Sequence, residues 1–103
     1  MIIAIASTEN HLKSSIDQHF GRCDWYCMYD TLSKKTGFIE NPMAHKAESA
    51  GLNAANFLID LGIEMVIAGR FGIKVVEVFK NKKIQMVIPE TPKTIKEIIH
   101  QLK

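Results

Sequence analysis

The chain lacks most of what would mark it as secreted, membrane-bound or nucleic-acid-binding. Its 103 residues include two cysteines, Cys23 and Cys27. Small secreted domains that rely on disulfides carry a fuller set. If the segment between these two is extended, they lie too far apart to bridge easily, so both read as free thiols in a reducing, cytoplasmic compartment. Charge of one sign is also missing. Thirteen basic residues face 11 acidic ones, for a net charge of +2, which is too mild to call for nucleic acid. Met1–Ala6 is a very short apolar run with no basic lead-in, so it reads as neither signal peptide nor membrane span. With no linker, repeat or low-complexity stretch, one domain over residues 1–103 is expected.

What is present is ordinary for a folded domain: 47% hydrophobic and 23% charged residues. A chain of this length buries roughly two-thirds of its unfolded surface, so it needs no disulfide or structural metal. Ile2–Ala6 suits a buried strand. Residues Ser7–Arg22 are polar and aperiodic and read as a long loop. Trp25–Tyr29 and Thr36–Ile39 read as two strands of a hairpin. Gly51–Leu61 has helical spacing, with Gly62 as its stop. Ile63–Ala68 and Ile84–Ile88 are further strands. Phe71–Phe79 is a helix with Ile73, Val76 and Phe79 expected inward. Thr91 is the expected cap of a last helix with Pro92 in its first turn, and Ile95, Ile98, Ile99 and Leu102 form its apolar stripe. The order β-β-β-α-β-α-β-α gives an α/β fold with a five-stranded mixed sheet.

Chain direction then places a site. Strands joined through helices run parallel by right-handed crossovers. Ligands of open α/β sheets bind beyond the carboxyl ends of such strands. Four segments should gather there: Ser7–Asp24, Asn41–Ala50, Gly69–Gly72 and Pro89–Pro92. All three helices should begin there too, and helix starts favour anions. These segments carry His19, Arg22, Cys23, Met43, His45, Lys46 and Arg70, a mixture of soft ligands, imidazoles and guanidinium groups.

The run Ser15-Ile16-Asp17-Gln18-His19-Phe20-Gly21-Arg22-Cys23 resembles the signature loop of the dinitrogenase iron–molybdenum cofactor-binding family. Asn41-Pro42, Ala50-Gly51, Leu61-Gly62-Ile63, Gly69 and Gly72 are similar to further family positions, in order, over nearly the whole chain. The resemblance implies a ribonuclease-H-like fold with helices on the faces of the sheet. It also implies reversible binding or carriage of an iron–sulfur or molybdenum-containing cluster, with cofactor-assembly proteins as partners. Two positions depart from the family: Ser49 stands where glycine is common at the helix start, and Asn81-Lys82-Lys83 replaces a glycine-bearing turn before the last strand.

The expected cofactor contacts are His19, Gly21, Arg22, Cys23, His45, Gly69, Arg70 and Gly72, with His19 and Cys23 as metal ligands. A histidine on a loop can equally order its own turn, and a cysteine can equally be a small core residue. Cys27 shares a strand face with Trp25 and Tyr29, which favours core. The glycines are first of all conformational residues. Three functions compete. The first is a non-catalytic carrier of an anionic metal–sulfur cluster. The second, a two-metal hydrolase, would want a carboxylate on the first strand, and Ile2–Ala6 has none. The third is a regulatory or interaction module that senses a small anion. Cys23→Ser should separate the first from the third, since only a soft-metal site needs the sulfur.

Overall fold

Residues 1–45 and 48–103 are described by the computed structural model. The chain forms β1 (Ile2–Ser7), β2 (Trp25–Asp30), β3 (Thr36–Glu40), α1 (Ala50–Asp60), β4 (Met65–Ile67), α2 (Ile73–Asn81), β5 (Gln85–Val87) and α3 (Ile95–Leu102). The five strands make one sheet in the order β3-β2-β1-β4-β5. β1 pairs antiparallel with β2 and parallel with β4. β2 pairs antiparallel with β3, and β4 parallel with β5. β1, β3, β4 and β5 therefore point the same way, as the sequence predicted. The order is compatible with the ribonuclease-H-like arrangement.

β1 is apolar on both sides because both sides are covered. Ala4 and Ala6 face a core built with Ala54, Ala55 and Leu58 of α1 and Val75 and Phe79 of α2. Ile3 and Ile5 face a second core with Ile95, Ile98 and Ile99 of α3. Small residues on the first face let α1 pack close to the sheet, while β-branched residues fill the second. Full burial of a side chain such as Leu58 or Phe79 stabilises the fold by about 1.5–3 kcal/mol.

The starts of α2 and α3 differ most from the sequence reading. α2 begins at Ile73, and its buried residues are Val75 and Phe79, four apart. Ile73, expected inward, is 82% exposed. A start two residues later than expected turns that position out of the core. α3 is capped by Thr94, not Thr91. The Thr94 side chain accepts from the Glu97 N–H, and the Glu97 side chain accepts from the Thr94 N–H. This reciprocal box satisfies two donors. Pro92 therefore lies before the helix. The stripe Ile95, Ile98, Ile99 is buried as expected.

Both positions that depart from the family's glycines have glycine-like backbone. Ser49 has φ 55° and Lys83 has φ 58°. A non-glycine residue held there is strained by about 1–2 kcal/mol.

Candidate functional site

The carboxyl ends of β1, β3, β4 and β5 carry the segments between Ser7 and Asp24, after Glu40, between Ala68 and Gly72, and after Val87. Each is anchored to its neighbours. The long loop is laced to β1 and α3 by bridges Ser7 with Ile16 and Ser15 with Thr94. The Gly69 N–H donates to the Asp17 carbonyl at 2.9 Å. A Cβ on Gly69 would sit 2.7 Å from the Cα of Gln18. The histidine–arginine loop and the glycine turn thus share one rim, as chain direction required.

Two more contacts fix the loop. Gly21 packs on the start of α1 so closely that an added Cβ would lie 2.5 Å from the Gly51 Cα. No side chain fits there without moving backbone. Asn41, buried at the end of β3, donates from its amide nitrogen to the carbonyls of Gly21 at 3.0 Å and Cys23 at 2.9 Å. Its side-chain oxygen accepts from the Met43 N–H. Below the loop, the Phe20 ring lies 5.3–5.7 Å from the rings of Tyr26, Phe71 and Phe79. This aromatic floor joins the loop to the turn before α2, with offset and edge contacts that aromatic pairs prefer.

The rim divides into three grooves. Arg22 lines the first together with Ser49–Leu52 and Gly72–Val75, the opening turns of both α1 and α2. Neither helix has a side-chain cap or an acidic residue in its first turn. First-turn N–H groups have no carbonyl partner within their own helix, and the helix dipole adds partial positive charge. Gln18, Gly69 and the Pro89–Lys93 segment line the second groove. His45 and Asp24 line the third with Trp25, Glu40, Asn41 and Ala44. Nδ1 of His19 lies 3.7 Å from an Asp17 oxygen, and the His19 side chain is 64% exposed. His45 approaches Asp24 at 3.5 Å.

The expected contacts are therefore only partly gathered. Arg22 and Gly72 share the first groove, Gly69 borders the second and His45 the third. Arg70 is exposed next to Gly69. Lys46, carried by the segment expected at this rim, lies outside the described residues. Cys23 is buried among Phe20, Tyr26 and the α1–α2 core. Its thiol donates to the Phe20 carbonyl at 3.4 Å, and burial pushes its pKa up to about 12. Cys27, buried on the opposite face of the sheet, is likewise pushed up to about 12 by burial. Both thiols are free, and burial of each disfavours the thiolate form in which cysteine binds a metal. Among the described residues, no group of three or more His, Cys, Asp or Glu gathers as a metal-binding set.

The start of α3, expected to join the anion-binding rim, is already satisfied. The Ile95 N–H donates to Ser14, the Lys96 N–H to Leu12, and the Glu97 N–H to Thr94. Asn41 is the functional residue that spacing alone does not reveal, because its role depends on which carbonyls the fold brings to it. The Asn41-Pro42 match was the signal available.

Among the described residues, no helix is long and apolar enough to cross a membrane. No curated protein matches the chain. Among solved structures, the apo form of the orange protein from Desulfovibrio gigas is similar, with 20% identity and a TM-score of 0.89 over 98% of this chain and 85% of that one. A NifB-like protein of the DUF35 family from Thermotoga is 28% identical, with a TM-score of 0.82 over 98% of this chain and 85% of its own. The family model for dinitrogenase iron-molybdenum cofactor proteins matches residues 1–103, and the chain belongs to that family.

Proposed function

We propose that this protein binds an anionic metal–sulfur cluster, of the iron–sulfur or molybdenum–sulfur class, and carries it as cargo during cofactor assembly without catalysing a reaction on it. Family membership supports the cargo class. The observation that carries the site is the first groove, where the uncapped opening turns of two helices meet beside Arg22. Two sets of first-turn N–H groups and a guanidinium suit a multiply charged anion. Ile73, exposed at the same groove, suits the weakly hydrated surface of a sulfide cluster. His19 and Arg70 stand on the adjoining turns as accessory contacts.

The cargo is held chiefly as an anion and not through cysteine. Cys23 is buried against Phe20 and Tyr26, so drawing it out as a ligand would break the core beneath the loop. Of the expected pair of metal ligands, only the His19 imidazole faces solvent. This arrangement also favours the second reading, a module that senses a small oxyanion, because hydrogen-bond donors and positive charge serve either.

Anaerobic titration with tetrathiomolybdate, or reconstitution with iron and sulfide, separates the two. The expected result is a visible absorption band that stays with the protein through gel filtration and weakens in Arg22→Ala with His19→Ala. Cys23→Ser should keep the band. Molybdate and phosphate at the same concentration should compete poorly. If oxyanions compete as well as the thioanion, the sensing module is the right reading. If neither binds, the groove is not an anion site.

A further inference from the structure

The sheet has two free edges, and they are unequal. β5 is three residues long, and very short edges resist pairing with other chains. β3 is five residues long and contains no proline or lysine. Its outward groups follow from its pairing with β2. The Asp30 N–H donates to Lys35, and the Asn41 N–H donates to Asp24. Hydrogen-bonded pairs alternate along an antiparallel ladder, so Gly37 and Ile39 also bond to β2. The N–H and C=O groups of Thr36, Phe38 and Glu40 therefore point away from the sheet.

We propose that the free edge of β3 pairs antiparallel with β3 of a second copy of this chain, with the two-fold axis at Phe38. That register places Thr36 opposite Glu40 of the second copy and Phe38 opposite its own counterpart. All three outward pairs then exchange hydrogen bonds, and two sheets become one of ten strands.

Charge and shape select a second copy as the occupant. The strand follows Lys34 and Lys35 and ends at Glu40, which pairs with Trp25 next to Asp24. Antiparallel self-pairing brings the basic start of each copy to the acidic end of the other. Glu40 opposite Thr36 of the second copy comes near the Lys34–Lys35 turn that precedes that strand, within reach of long side chains. On the opposite face, Gly37 faces Ile39 of the second copy. A Cβ on Gly37 would meet nothing within 4 Å, which leaves room for that side chain. Apolar grooves border β3 on both faces of the sheet, one with Leu12 and Ile99, the other with Ile2, Met28 and Leu61. The strand of the second copy would lie along their open sides. The carboxyl ends of the two β3 strands lie at opposite ends of the joint, so the two anion grooves stay independent.

The test is sedimentation equilibrium of the full chain, from micromolar to millimolar concentration. The expected result is a reversible monomer–dimer equilibrium. Thr36→Pro removes an outward N–H that β2 does not use, so it should give a monomer with an unchanged far-ultraviolet spectrum. Glu40→Lys should weaken the dimer roughly ten-fold, since the pair occurs twice by symmetry, and Lys34→Glu in the same chain should restore it. Tetrathiomolybdate binding should be equal in parent and Thr36→Pro, because Thr36 lies at the end of β3 away from the anion grooves. A parent that stays monomeric at millimolar concentration overturns the proposal. So does a dimer unaffected by both Thr36→Pro and Glu40→Lys.

Discussion

The starts of α1 and α2 differ from the start of α3 in how they treat the same chemical problem. Every helix leaves its first N–H groups without partners of its own. α3 fills them with its own chain: Thr94 and Glu97 close a capping box, and the carbonyls of Ser14 and Leu12 take the first two donors. α1 and α2 have neither a capping side chain nor an acid in the first turn. A helix start closed by local residues strengthens the fold. One left uncapped in a shared groove is available to an incoming anion. α3's face of the sheet is thus structural, and the α1–α2 face holds the candidate site.

The comparison can be broken at its most crowded point. Gly21→Ala forces a Cβ against the backbone of Gly51, so the loop must lift off the start of α1. We expect it to lower unfolding stability by about 1–3 kcal/mol, the usual cost of overpacking, and to abolish tetrathiomolybdate binding. Chemical denaturation and an absorption titration on the same sample check both. Thr94→Ala should lower stability by about 1 kcal/mol, the ordinary value of an N-cap, while anion affinity stays at the parent level. The box also has a pH signature. Hydrogen bonds from the Thr94 backbone and side chain hold the Glu97 carboxyl below its ordinary range. Its contribution is therefore present above the normal glutamate pKa and lost as pH falls through the depressed value, and Thr94→Ala should flatten that acid limb. Ser49→Gly has the smallest expected effect. It relieves the left-handed strain at the start of α1 but makes the unfolded chain more flexible, for a net gain of about 0–1 kcal/mol. Thermal melts should show a rise, with anion binding kept.

Much of the fold was legible because apolar period and chain direction are local properties. The unbroken run at Ile3–Ala6, the hairpin and the Ile95–Ile98–Ile99 stripe announce themselves. From them the parallel direction of β1, β4 and β5, and hence the end of the sheet that collects the loops, follows by geometry. The site was legible only as a neighbourhood. Cys23 lies in an aperiodic loop, where nothing in the sequence says which way a side chain points, and it turned inward. Ile73 reads as a core position because it stands three residues before Val76, but the helix begins at Ile73 itself. The loop's tie to the end of β3 runs through Asn41, a contact twenty residues long in sequence.

The most direct test of the account follows backbone amide shifts by NMR as tetrathiomolybdate is added anaerobically. The account predicts saturable shifts at Ala50, Gly51, Leu52, Ile73, Lys74 and Val75, with Ile95, Lys96 and Glu97 unmoved. Shifts centred on the start of α3, or none at the starts of α1 and α2, would contradict it.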